Sequence, residues 1–135
     1  MKICTTIEQS KKLIELGFDV DSADMHYNVD RYNNESEIFA IPYSELCFYK
    51  DSDAQYSVAA WSLSALLELI PPYLGDYKDG IDFGLGRSMN GKWYSAHYLQ
   101  TCPNGDIKSV KTVTGESAVD AAFEMVCWLK ENGKI

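Results

Sequence analysis

Three stretches of the chain space their apolar residues as helices do. In CTTIEQSKKLIELGFD, Ile7, Leu13, Ile14 and Leu16 cover about half of a helical wheel. Thr5 with Glu8, or Thr6 with Gln9, supplies the reciprocal caps of a helix start. Gly17 suits the left-handed residue just past the end, with Phe18 placed to pack back on Leu13. In AAWSLSALLELIPPYL, residues 59–74, Ser62 is positioned to cap a helix and Trp61 to staple onto Leu66. Leu63, Leu66, Leu67 and Ile70 then recur on one face until Pro71 and Pro72 block continuation. That leaves about eight helical residues, about 12 Å at the helical rise, where a bilayer core needs about 20 apolar residues. Such a helix is expected to be core and not a membrane segment. In ESAVDAAFEMVCWLKENGKI, a helix capped by Ser117 and reaching about Asn132 leaves Asp120, Glu124 and Glu131 as a narrow polar stripe. The rest of its circumference is apolar, so it should lie across a sheet. Its remaining cover must come from the other helices or from a second copy of the chain, a homodimer through the C-terminal helix.

Between these stretches the pattern changes. Residues 19–37 are polar with no sustained period and read as loop. IFAIPYSELCFYK, residues 38–50, is β-branched and aromatic, which predicts one or two short strands with Pro42 at an edge or corner. Asn90-Gly91 and Asn104-Gly105 favour two-residue type I′ turns, which predicts strands near 81–88, 92–101 and 106–114. Two-residue loops pair Leu85 with Ala96, Phe83 with Tyr98, and Val113 with Ala96 on a core face. Trp93, Ser95, His97 and Leu99 then share the opposite face, with Gly84 across from His97 and Gly86 across from Ser95, a shallow notch where side chains are missing. The fold expected is α+β: a three-stranded antiparallel meander, extended by one or two short strands and packed with three helices in a single domain over residues 1–135.

Charge and cysteine usage narrow the classes of partner. With 46% hydrophobic residues, 135 residues suffice for one core without disulfide or metal staples. The net charge is -8, and residues 19–53 alone carry -7, which argues against direct binding of nucleic acid or an anionic membrane. The opening MKICTTIEQSKK has no apolar run of signal-peptide length, so a cytoplasmic location is expected. Cys4, Cys47, Cys102 and Cys127 are widely spaced with no CxxC pair, as for free thiols in a reducing compartment.

The segments CTTIEQSKKLIELGFDVDSADMHY, AAWSLSALLELIP and AAFEMVCWLKENGK, in this order and over about half the chain, resemble a group of small uncharacterised proteins encoded by gut Bacteroides and their phages or mobile elements. The resemblance implies a bacterial cytoplasmic or phage origin. It implies no activity and no site residues.

Chemistry-bearing residues are sparse. His97, Cys102 and Asp106 are the residue types of a base, a thiol nucleophile and an orienting carboxylate, but Cys102 and Asp106 flank a turn and nothing supplies an oxyanion site. An EF-hand frame begun at Asp19 fails because Asp24 stands where the sharp-turn glycine belongs. One begun at Asp51 fails at Tyr56 and Ser62. His26 and His97 are the only histidines and no cysteine pair has ligand spacing, so neither zinc nor any cofactor is expected. GLGRS, residues 84–88, lacks the lysine of a phosphate loop and precedes a hairpin. The tyrosines of the acidic loop, Tyr27 and Tyr32, together with Trp93 and His97 on the open sheet face, are the candidate contacts for a protein partner. Tyr73 and Tyr77 also fall in predicted loops. A small noncatalytic interaction protein, such as a phage or mobile-element accessory factor, is the function expected. The alternatives are a small hydrolase or transferase using His97 with Cys102, and an acidic mimic of nucleic acid.

Overall fold

Thr6 begins the first helix. In the computed structural model, which describes residues 2–32, 34–42 and 55–135, its hydroxyl accepts from the Gln9 N–H at 3.1 Å. The Gln9 side chain in turn accepts from the Thr6 N–H at 2.9 Å. Of the two caps open to the sequence, the Thr6–Gln9 box is the one made, and it starts helix α1, Ile7–Glu15. The helix stops where Gly17 takes φ 95°. The Gly17 N–H donates to the Ile14 carbonyl and the Phe18 N–H to the Leu13 carbonyl, the paired bonds of a Schellman end.

The chain packs as two units, residues 2–65 and 66–135. The first holds α1 and a three-stranded sheet, β1 (Met25–Asp30), β2 (Glu35–Phe39) and β3 (Gln55–Ala60), in the order β2-β1-β3, antiparallel throughout. Nine of the nineteen residues of 19–37 are therefore strand where loop was expected. MHYNVD alternates apolar and polar residues, and its apolar members Met25, Tyr27 and Val29 are buried with Cys4, Val58 and Ala60. Pro42 follows the end of β2. Of the strands expected within 38–50, Ile38 and Phe39 end β2, and residues 43–50, Cys47 among them, lie outside the described residues.

Trp61, fully buried, ties the unit together. Its N–H donates to the Thr5 hydroxyl at 3.1 Å, its carbonyl accepts from the Thr5 N–H at 2.9 Å, and its indole N–H donates to Ser22 Oγ at 2.9 Å. Ser62 then caps helix α2, Leu63–Leu69, accepting from the Ala65 N–H at 3.2 Å. Asp24 holds that cap, its carboxylate accepting from both the N–H and the hydroxyl of Ser62. Ala59, Ala60, Trp61, Ala65, Leu66, Ile70 and Leu74 are all buried, so the greasiest stretch of the chain is core as expected. Among the described residues no helix is long and apolar enough to cross a membrane.

The second unit carries the meander. Strands β4 (Ile81–Arg87), β5 (Tyr94–Thr101) and β6 (Ile107–Gly115) run antiparallel in the order β4-β5-β6. Leu85 pairs with Ala96, Phe83 with Tyr98 and Val113 with Ala96, the register read from the sequence. The turns differ from the type I′ expected. In each Asn-Gly pair only the glycine has positive φ, 71° at Gly91 and 88° at Gly105. The bends instead close from the Gly91 N–H to the Ser88 carbonyl and from the Gly105 N–H to the Cys102 carbonyl, both at 2.9 Å. These are type I bends followed by a left-handed glycine, and Pro103 sits where such a bend favours proline. The second bend shifts the pairing, so that Leu99 faces Ser109 while Tyr98 faces Lys111. Val110 is the extra residue, and this bulge restores the register on the core side.

Helix α3, Ala118–Glu131, packs on β5 and β6. Ser117 caps it, accepting from the Asp120 N–H at 3.0 Å. Gly115 lets β6 run close beneath: a Cβ there would lie 2.7 Å from the Ala121 nitrogen and the Asp120 Cβ. Val119, Ala121, Ala122, Phe123, Met125, Val126, Cys127 and Leu129 are buried within one chain, so these eight need no second copy for cover. Tyr98, fully buried on β5, donates its hydroxyl to the Pro71 carbonyl at 2.6 Å. The architecture is α+β, with a second three-stranded sheet besides the meander.

Candidate binding face of the meander

The alternation of β5 divides its side chains between two environments. Ala96 and Tyr98 are buried, while Ser95, His97 and Leu99 point to the other face and remain partly exposed. Trp93, just before the strand, is 49% exposed. Half-exposed tryptophan keeps a large apolar ring in water, which is costly unless something covers it.

Opposite these residues β4 has no side chains at Gly84 and Gly86. The two gaps are used differently. His97 leans over Gly84, where a Cβ would come within 2.5 Å of the imidazole Nε2. At Gly86 the nearest atom to such a Cβ is Ser95 Oγ at 3.8 Å, so there the space stays open. The result is a hollow of about 630 Å³ lined by Gly86, Arg87, Ser88, Trp93, Tyr94, Ser95, His97 and Thr114. This size lies within the range of small-ligand and side-chain sites. The notch expected from the glycines is present, shifted toward the 88–93 turn because His97 fills its other half.

The turn end of the hollow is well braced. Ser88 Oγ donates to Asn90 Oδ1 at 2.6 Å and accepts from the Trp93 N–H at 3.1 Å, and Asn90 Oδ1 also accepts from the Lys92 N–H at 3.0 Å. Arg87 places its guanidinium 5.7 Å from the centre of the Tyr94 ring and donates to the Gly91 carbonyl at 3.3 Å. Ser95, His97 and Thr114 line the hollow from the open face, whereas Arg87 and Tyr94, paired across the strands on the Ala96 side, border it at the turn end; no carboxylate is among the lining residues. Arg87, Ser88 and Thr114 were not singled out as contacts from sequence. Arg87 had been weighed only within GLGRS, which is the glycine-bearing end of β4 and leads into a hairpin.

The other candidates separate. Tyr27 is not a surface contact: it is 8% exposed on β1 and donates its hydroxyl to the Thr5 carbonyl at 2.8 Å. Burial, reinforced by the Cys4 thiol beside it, pushes that phenol far above its ordinary range, and burial likewise pushes the Cys4 thiol up. Tyr32 is 79% exposed in the turn between β1 and β2, its N–H held by the Asp30 carboxylate at 2.9 Å. Tyr73 and Tyr77 meet edge to face, ring centres 5.9 Å apart, on the segment that pairs with β4 through Tyr73 and Asp82.

His97, Cys102 and Asp106 do not form a catalytic group. His97 lies within β5 and Cys102 just beyond its end, so at the strand rise they are about 16 Å apart. The Cys102 N–H donates to the Asp106 carbonyl at 2.8 Å, and the Asp106 N–H to the Asn104 side chain at 3.0 Å, as a hairpin bend requires. The thiol is not held against the imidazole. Among the described residues no three His, Cys, Asp or Glu side chains are grouped as metal ligands. The chain matches no family model, no curated protein and no solved structure.

Proposed function

We propose that this chain is a noncatalytic binding protein of the bacterial cytoplasm, a phage or mobile-element accessory factor, that holds another protein on the open face of its β4-β5-β6 sheet. The observation that carries the reading is Trp93, half exposed beside a hollow that Gly86 leaves open. Half-buried tryptophan flanked by a pocket is a favoured anchor of protein interfaces, since its ring offers a large area for few rotatable bonds. The separation of His97 from Cys102 supports a noncatalytic role. The origin rests on the sequence resemblance alone.

Selection from a displayed peptide library tests it. Wild-type protein should enrich specific sequences, and Trp93→Ala, with an unchanged circular dichroism spectrum, should lose them. Failure to enrich anything, or equal enrichment by the variant, would overturn the proposal.

A further inference from the structure

We infer that the outer edge of β2 receives an extended segment of a partner protein in which basic and apolar residues alternate, adding a strand to the β2-β1-β3 sheet. The surface is an edge of the first unit, not a face, and is independent of the hollow on the meander. The first observation is the backbone. Glu35–Phe39 pairs with β1 in an unbroken antiparallel register, from His26 with Phe39 to Asp30 with Glu35, and all of its residues are exposed. Alternate residues of such a strand turn their N–H and C=O toward the neighbour, and the others turn them outward. Among the described residues no segment pairs with that outward side. In the meander both outer strands are guarded. Residues 72–74 run along the start of β4, where the Phe83 N–H donates to the Pro72 carbonyl at 2.9 Å, and β6 is bent at Val110. β2 has neither cover nor bulge, the state in which an edge takes up another strand.

The second observation is which side chains border this edge. Glu35 and Glu37 lie on one face, across from Asp30 and Asn28, while Ser36 and Ile38 lie on the other, across from Val29 and Tyr27. Asp30 and Glu35 are thus directly opposed, and two carboxylates so placed repel. From residue 24 to residue 42 the only formal cation is Arg31. Its guanidinium sits 4.8 Å from the centre of the Tyr56 ring, and Tyr56 pairs with Val29 on the face away from the glutamates. Lysine or arginine on an added strand, set opposite Glu35 and Glu37, supplies the missing complement. The residues alternating with them meet Ser36 and Ile38, and Ile38 is 41% exposed.

A second copy of the chain is the competing occupant, since two β2 edges could pair with each other. An antiparallel pair of copies centred on Ser36 sets Glu35 against Glu37, and one centred on Glu37 sets that residue against its own counterpart. The glutamates that disfavour a copy favour a basic strand.

The experiment uses a short synthetic peptide alternating lysine and valine, with fluorescence anisotropy and backbone hydrogen exchange read on the intact chain. The peptide should bind and slow exchange at Glu35–Phe39. Replacing its lysines by glutamine, or combining Glu35→Gln with Glu37→Gln, should weaken binding at least about fivefold at low salt, as for two exposed charge pairs, the gap closing at high salt. Glu116→Gln with Glu124→Gln removes as much charge from exposed positions outside this sheet and should change nothing. The peptide N-methylated along its backbone keeps its charge, loses its ladder hydrogen bonds and should not bind. Equal binding of the N-methylated peptide, or binding without slowed exchange at Glu35–Phe39, would reduce the effect to net charge and overturn the added strand. Equal binding of the glutamine peptide would overturn the basic partner. Sedimentation showing a dimer with the same slowed exchange would make a second copy the occupant and overturn it too. Loss of binding on Trp93→Ala would move the peptide to the meander, and no binding at all would overturn the edge while leaving the meander face to its own test.

Discussion

The two sheets of this protein have similar centres and different exposures. In each, the middle strand buries a tyrosine whose hydroxyl donates to a backbone carbonyl, Tyr27 on β1 to Thr5 and Tyr98 on β5 to Pro71. Yet β1 buries Met25, His26, Tyr27 and Val29, residues from both of its faces, whereas β5 buries only Ala96 and Tyr98 and leaves Trp93, His97 and Leu99 on a partly open side. The stable part of each sheet comes from its tyrosine face. Whether the sheet also has a surface to offer is decided by the other face, and only the meander has glycines and a half-exposed tryptophan there.

Six variants sharpen this contrast. The largest effect is expected for Trp61→Ala, which removes a fully buried indole and its bond to Ser22; it should cost about 3–5 kcal/mol in urea unfolding. A loss under about 1 kcal/mol would mean that the first unit does not depend on this residue. Next comes Gly115→Ala, where the added Cβ meets helix backbone that cannot swing aside, for an expected loss of about 1–3 kcal/mol. Gly84→Ala meets only the His97 ring, so it should cost less and instead displace the imidazole, visible in the His97 ring resonances.

The tyrosines come third. Replacing either by Phe should cost about 1 kcal/mol at neutral pH. Burial pushes the Tyr98 phenol up to about 12 from an ordinary 10. The folded state therefore holds a proton that the unfolded state releases, so this stability is intact below pH 10 and is lost as pH rises toward 12. Tyr27 is shifted the same way and farther. Alkaline titration of unfolding should flatten in Tyr98→Phe and flatten more in Tyr27→Phe. The smallest effect is expected for Trp93→Ala, within about 0.5 kcal/mol of wild type, as for exposed positions. A cost like that of Trp61→Ala would show Trp93 to be structural.

Legibility in the sequence also differed between the sheets. The meander was readable because Asn-Gly pairs mark reversals and because glycine, alanine and aromatic positions interlock in only one register. Its turn type was not readable: both bends place the asparagine outside positive φ, and in the second hairpin the core-side register still results because Val110 absorbs the shift. The β1 strand was missed although MHYNVD alternates cleanly, since its polar members and acidic surroundings look like loop. Asp24 shows why acid there is not merely solvent-facing, because its carboxylate organises Ser62 at the start of α2. That contact joins residues 38 apart in sequence, and no local pattern announces it. The same holds for Arg87 at the hollow, whose place depends on the conformation of the 88–93 turn.

The extra residue at Val110 has a consequence for how copies of this protein coexist. β6 closes the order of its sheet, and an unbroken outer strand of this kind invites a neighbouring molecule to zip onto it. An unpaired residue in its middle bends and twists that rim, and Lys108 and Lys111 on either side add like charges that a stacked neighbour would have to bury or oppose. The irregularity thus works as a safeguard against runaway assembly of copies along this rim.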